Sequence, residues 1–254
     1  MFKQLLILAI FTTGVAQAAD ETFKGESEAS AIVVSGNLNS QTIGAKTKNT
    51  WKFTEDDAAI AFGSYIDGKS EVVDSNGLVI DALSKSWTAG LRYERVITKD
   101  QFSGFIQHMA EADPYNGIFV QRNSTDLGAQ YHIIKSETLN WLAELGYRYS
   151  DIYKGIRNVN NVATEDTYST NYVRGYTEVS DKFNANVSGK LWFEYLQDTK
   201  ESDQSLWNAE ASLSVVMSSI FSLKTAYLVK HNEGTPSPGK KDTTTWTTAL
   251  VANY

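Results

Sequence analysis

The chain has no cysteine, so disulfides and thiolate metal sites play no part in whatever it does. Proline is scarce, with 3 residues in 254, and no Pro-rich or linker-like stretch divides the sequence. Beyond residue 18 no apolar run reaches about 18 residues, the length a membrane-spanning helix needs. Positive charge is also short: 23 Lys and Arg stand against 30 Asp and Glu, a formal charge of −7. That sign argues against a nucleic-acid partner. What remains open is a single exported or membrane-inserted domain that crosses no bilayer by helices.

The first residues point to export. Met1-Phe2-Lys3 is a basic start, Leu5 to Phe11 is a short apolar core, and Ala16-Gln17-Ala18 is a small-residue cleavage site. These are the three parts of a secretory signal peptide, so residues 1–18 are expected to be removed and 19–254 to form the mature domain. An exported chain without a spanning helix either stays soluble or inserts as a closed β-barrel, the other structure that satisfies its backbone in lipid. The 13 Tyr, 11 Phe and 6 Trp favour strands.

Periodicity decides for strands throughout. The last segment, Thr243 to Tyr254, places Trp246, Thr248, Leu250, Ala252 and Tyr254 on one face and Thr245, Thr247, Ala249, Val251 and Asn253 on the other, the period of two of a β-strand. About eleven similar segments precede it at regular spacing, giving an even total of about twelve, as bacterial single-chain barrels require. The expected fold is all-β, a transmembrane antiparallel up-and-down β-barrel. Connections after even-numbered strands read as tight turns, such as Thr54 to Asp57 and Ser180 to Lys182. Those after odd-numbered strands read as mostly longer polar loops, with Asp67 to Lys85 and Ser150 to Thr167 the longest. Short periplasmic turns and longer outer loops are the pattern of an outer-membrane barrel.

Alternation alone does not say which face points out. Aromatics on the apolar face gather near strand ends, at Phe23, Trp51, Phe53, Trp87, Trp141, Tyr149, Tyr195, Trp207, Phe221, Tyr227, Trp246 and Tyr254, whereas Ala, Gly, Leu and Val fill the middles. Rings at two levels with a smooth apolar band between them suit lipid outside, not a core inside. The polar face then lines the lumen. Its charges are Lys24, Glu26, Glu28, Lys46, Lys48, Lys52, Arg92, Glu94, Glu144, Arg148, Arg174, Glu178, Lys190, Glu194, Glu210 and Lys224. Nearly balanced signs argue against strong ion selectivity, and twelve strands lie between filled and open barrels. These charges either line a narrow wet pore or interlock as a plug. In the first hairpin the polar face of one strand is acidic, with Glu26 and Glu28, where that of its neighbour is basic, with Lys46, Lys48 and Lys52, and facing opposite charges support such a pair.

Several segments resemble a known family. They are Lys24-Gly25-Glu26, the turn Val34-Ser35-Gly36-Asn37-Leu38-Asn39-Ser40, Leu91-Arg92-Tyr93-Glu94-Arg95, Leu145-Gly146-Tyr147-Arg148-Tyr149, and the closing stretch from Asp242 to Val251. On these the chain resembles the salt-induced outer membrane protein family, otherwise a domain of unknown function. The resemblance implies an outer-membrane β-barrel of a Gram-negative bacterium and brings no activity, cofactor or catalytic residue with it.

Other constellations carry less. His108, His132 and His231 invite comparison with outer-membrane lipid hydrolases, but serine is plentiful, so a Ser near a His is weak evidence for a triad. The acids Asp151, Glu165, Asp166, Asp198, Glu201 and Asp203 lack calcium-loop spacing and read as solvated loops. The chain is therefore expected to be no enzyme, to hold no cofactor or metal, and to serve as a passive narrow pore or general envelope protein. A closed structural or interaction barrel is the alternative. Its expected partners are outer-membrane lipids, lipopolysaccharide and the assembly machinery. Trp246, Leu250, Ala252 and Tyr254 resemble the C-terminal signal that this machinery reads.

Overall fold

Twelve strands form in the computed structural model, which describes residues 22–34, 39–73, 77–115, 119–159, 162–201, 204–235 and 241–254. They are β1 Phe23–Val34, β2 Ser40–Lys52, β3 Asp57–Val73, β4 Val79–Thr98, β5 Phe102–Ala112, β6 Gln121–Lys135, β7 Leu139–Val159, β8 Val162–Lys182, β9 Val187–Asp198, β10 Leu206–Val216, β11 Phe221–Asn232 and β12 Asp242–Asn253. Each pairs antiparallel with its neighbours in sequence, and β12 returns to β1 to close the barrel. The expected signal segment and Asp203 lie outside the described residues.

The barrel is inside out relative to a soluble one. Leu91, Leu127 and Leu145, in the middles of β4, β6 and β7, are about two-thirds exposed (66%, 66% and 67%), whereas Asp126, one residue before Leu127, is 1% exposed. Burying the polar face and exposing the apolar one costs free energy in water and is favourable only where hydrocarbon surrounds the wall.

Turns at one end are short, comprising residues 53–56, 99–101, 136–138, 183–186 and 217–220. They are satisfied locally: Thr54 Oγ1 accepts the N–H groups of Asp56 and Asp57, and Asn184 Oδ1 those of Asn186 and Val187. Such side-chain acceptors mimic a backbone turn. The other end differs from the sequence-based expectation. The stretches Asp67 to Lys85 and Ser150 to Thr167 are mostly ladder, with β3–β4 paired out to Val73–Val79 and β7–β8 out to Val159–Val162. Both faces of these extensions are wet, so hydrophobic alternation fades while the hydrogen-bond ladder continues. Outside the apolar band the pattern that identifies a strand is lost, although the strand is not.

One ladder is short. β12 pairs with β11 from Asp242 to Ala252 but with β1 only from Leu250 to Asn253, opposite Ala29 to Glu26. β1 meanwhile pairs with β2 along its whole length, Phe23 to Val34. The seam that closes the barrel is therefore zipped at its short-turn end and unzipped above Ala29–Leu250.

Candidate functional site: the charged lumen and the β1–β12 seam

Alternation sends the even-numbered residues of β4, β6, β7, β8 and β9 into the lumen, and twelve of the sixteen expected charges there fall into three groups. The largest spans the barrel wall from β4 to β10. Arg148 binds Asp126 through two guanidinium nitrogens, at 2.6 and 2.8 Å, and reaches Glu194 at 3.1 Å. Arg174 donates to Glu144 and to Glu194, each at 2.6 Å. Arg92 joins Glu144 at 2.7 Å and Gln130 at 3.1 Å, and its Nε lies 2.6 Å from Glu94 without pointing at it. Asn208 adds a third contact to Glu194. Arg92 and Glu144 stand three strands apart, so these bonds reach across the lumen as well as along its wall. The paired guanidiniums and carboxylates are charge-assisted and largely bidentate, the strong class of polar contact.

Rings complete this group. The Arg92 guanidinium lies 3.8 Å from the centroid of Phe105, and Arg174 lies 5.1 Å from that of Tyr176, both within cation–π range. Phe105 fits because its neighbour is Gly128: a Cβ there would meet the ring at 2.6 Å and the Leu145 carbonyl at 2.7 Å. Asp126, Glu144, Arg148 and Arg174 are all buried as a result.

A second, smaller group sits below the open part of the seam. Lys224 on β11 bonds Glu28 on β1 at 2.5 Å, reaching over β12, and lies 4.0 Å from Glu210 on β10. Glu210 in turn meets Lys46 on β2 at 3.6 Å. The register does set Glu28 opposite Lys46 and Glu26 opposite Lys48, as the alternation suggests. The ion pair of Glu28 nevertheless goes to Lys224, because the curvature of the wall brings β11 nearer than the pleat brings β2. Here Lys46 keeps 36% of its side chain exposed. The third group is Lys190–Glu178 at 2.8 Å, with Tyr176 donating to Glu178 at 2.6 Å. Lys24, Glu26, Lys48 and Lys52 also lie on the inward phase, and no ion pair joins them to another described residue.

Asp126 is the member that charge counting missed. Its place on the polar phase of β6, in register with Arg148 on β7, was the available signal. Phe105 was missed because β5 alternates weakly.

Of the residues expected to form a terminal signal, Tyr254, Ala252 and Leu250 lie at the zipped end of the seam and Trp246 beside its open part. Tyr254 and Gly25 exchange backbone hydrogen bonds of 2.6 and 3.0 Å. The Tyr254 ring lies against Gly25, where no side chain would fit, and its hydroxyl contacts Ser27 at 3.0 Å and Asn49 at 3.2 Å. Phe23 packs between Tyr254 and Trp51, at 6.0 and 5.5 Å. Leu250 and Trp246 face outward, Trp246 66% exposed and 5.8 Å from Tyr227. Ala252 is in register with Ser27.

The histidines lie apart. His108 faces outward and contacts Thr125; His132 contacts Gln130 and Asn140. His231, at the outer rim of β11, stacks on Trp207 at 5.2 Å and contacts Asp242 and Glu233. Among the described residues none of the three is hydrogen-bonded to a serine. Of the acids expected in solvated loops, Asp151, Glu165 and Asp166 lie instead on β7 and β8 and Asp198 ends β9 and is buried; Asp151 accepts from Tyr149 and Ser169, and Asp198 from Thr170 and the N–H groups of Lys200 and Glu201. No three His, Asp or Glu side chains among the described residues converge as metal ligands.

The architecture recurs in solved structures of low sequence identity. The COG4313 outer membrane channel from Pseudomonas putida F1 is similar with a TM-score of 0.56 and 11% identity, over 91% of this chain and 95% of that one. The translocator domain of the autotransporter NalP from Neisseria meningitidis is similar with a TM-score of 0.50 and 12% identity, over 91% and 87%. The likeness is one of fold, that of a bacterial outer-membrane barrel. No curated protein matches the sequence. A family model, described as a protein of unknown function, matches residues 27–254, and the chain belongs to that family, DUF481.

Proposed function

We propose that this protein is exported through a cleaved signal peptide spanning residues 1–18, inserts in the outer membrane and acts there as a narrow passive pore. It is not a wide diffusion channel. The observation that carries this reading is the β4–β10 ion-pair group. Arg92, Asp126, Glu144, Arg148, Arg174 and Glu194 meet across the lumen within hydrogen-bond distance and are withdrawn from solvent. Water and solutes are left the side lined by β1, β2 and β3, where Lys24 and Glu26 are exposed and Lys46 is half-open. Both signs line that path, so small polar solutes pass without strong ion selectivity. Among the described inward residues no serine is hydrogen-bonded to a histidine, which supports a reading without enzyme chemistry.

The contact between Lys46 on β2 and Glu210 on β10 favours a second reading, in which the lumen is closed and the protein is structural. Planar-bilayer recording separates the two. Small discrete steps that grow when Arg174 is replaced by alanine support the pore. A silent, folded barrel supports the closed form, and large ohmic steps in the unaltered protein contradict both. Outer-membrane lipid and lipopolysaccharide are the proposed surroundings of the wall. The β12 face of Trp246, Leu250, Ala252 and Tyr254 is the proposed contact for the assembly machinery.

A further inference from the structure

The unzipped seam has a physical consequence for what the barrel binds. Gly25 and Tyr254 form a doubly hydrogen-bonded pair, and in an antiparallel ladder such pairs recur every second residue. Ser27–Ala252 and Ala29–Leu250 continue the series; Ala31–Thr248 and Val33–Trp246 come next, and the ladder stops before them. Among the described residues no strand pairs with their N–H and C=O groups on this side. Trp246 stands at the outer aromatic level, so the gap runs from mid-wall to the outer interface. A bare strand edge in hydrocarbon costs several kcal/mol per unpaired group, which makes a simple lipid-filled slot unfavourable. Threonines line the edge at 243, 244, 245, 247 and 248, and their hydroxyls can hydrogen-bond to nearby backbone.

We propose that this gap is a lateral portal through which a single-chain amphiphile with an anionic head, of the long-chain carboxylate class, enters the lumen from the outer leaflet. The rim supplies the apolar part. Ile32, on the inward phase of β1, is nonetheless 48% exposed beside the gap, and Leu250 and Trp246 flank it outside. Just inside, Gly44 and Thr247 are small and partly open beside Ile32, whereas Ala226 and Ala249 are already covered by the protein. One residue pair below the gap lies the Glu28–Lys224–Glu210–Lys46 group. Its carboxylates are covered, with side-chain exposures of 8% and 7%, while Lys46 is 36% exposed. A head group descending from the gap therefore meets an ammonium first. The inference rests on the outer-membrane location and is independent of whether the lumen conducts.

The test uses the full mature chain in outer-membrane vesicles, with a sixteen-carbon carboxylate carrying a diazirine and the matching alcohol as probes. The native absence of cysteine allows a second measurement, disulfide formation in Ala31→Cys/Thr248→Cys against Ser27→Cys/Ala252→Cys. The portal predicts that the lower pair oxidises readily and the upper pair does not. It also predicts that the carboxylate labels peptides around Ile32 and Thr247 above the rest of the wall. Lys46→Gln should lower that labelling roughly three- to fivefold, the loss of one partly screened charge contact, and leave the alcohol unaffected. Equal oxidation of both pairs means a zipped seam and overturns the proposal. Labelling spread evenly round the barrel, or an Ala31→Cys cross-link to a second chain, overturns it too. Absence of the folded protein from the outer membrane would instead defeat the location, an outcome read separately by fractionation.

Discussion

Arg148 on β7 and Lys46 on β2 both face the lumen and both pair with carboxylates, yet 4% of one side chain is exposed and 36% of the other. The two belong to different kinds of wall. Around Arg148, rings and charges interleave: Phe105 lies by Arg92 and Arg174, Tyr176 by Arg174, Tyr172 and Leu196 are buried in register with Arg148 and Arg174, and Asp126, Glu144 and Glu194 each have more than one partner. Around Lys46 the inward residues are small, Gly44 and Ser30 among them, and the adjoining seam is half-paired. A barrel has no apolar core to hold it from within, so its rigidity depends on what fills the lumen. The β4–β10 side is filled, whereas the seam side depends on its ladder and one ion-pair group.

Replacing Asp126 should break the comparison most severely. Asp126→Ala leaves Arg148 buried with half its partners gone, and the loss is about 3–5 kcal/mol, read from urea unfolding in lipid vesicles. Glu28→Ala on the seam side should cost less than half as much, because Lys224 retains Glu210 nearby and Lys46 is already open to water. Equal losses would mean the two walls do not differ.

Two glycines sharpen the same contrast. Gly128→Val forces the Phe105 ring against backbone and should cost about 1–3 kcal/mol by overpacking. The Cβ of Gly44→Ala meets only the Ser30 hydroxyl closely, at 2.7 Å, with the Tyr65 carbonyl at 3.8 Å. Ser30 can rotate, so unfolding midpoints close to those of the unaltered protein are expected. Tyr254→Ala removes two hydroxyl contacts and the ring on Gly25. About 1–2 kcal/mol is expected, with faster amide exchange at Ser27 and Ala29.

How much of this was legible follows from what a side-chain period can encode. Runs such as Trp141, Ala143, Leu145, Tyr147 against Glu144, Gly146, Arg148 gave strand, phase and lumen-facing charge together, because one face meets lipid. Beyond Tyr65 and Tyr149 the chain leaves that band, and the β3–β4 and β7–β8 extensions read as loops. Pairing across the lumen was less legible still. The sequence sets an acidic face against a basic one in the first hairpin, but the bond of Glu28 to Lys224, across β12, is recorded by no local pattern. The same holds for the seam: Thr243 to Tyr254 announces a strand without saying how far its two edges are paired.

Amide hydrogen exchange of the full mature chain in lipid nanodiscs tests the contrast between the two walls most directly. Ala31, Val33, Trp246 and Thr248 should exchange fast, while Ser27, Ala29 and the amides of β6 to β8 beside Asp126, Arg148 and Arg174 stay protected. Uniform protection from Ser27 through Val33 would show the seam fully zipped and the walls alike, which contradicts the account.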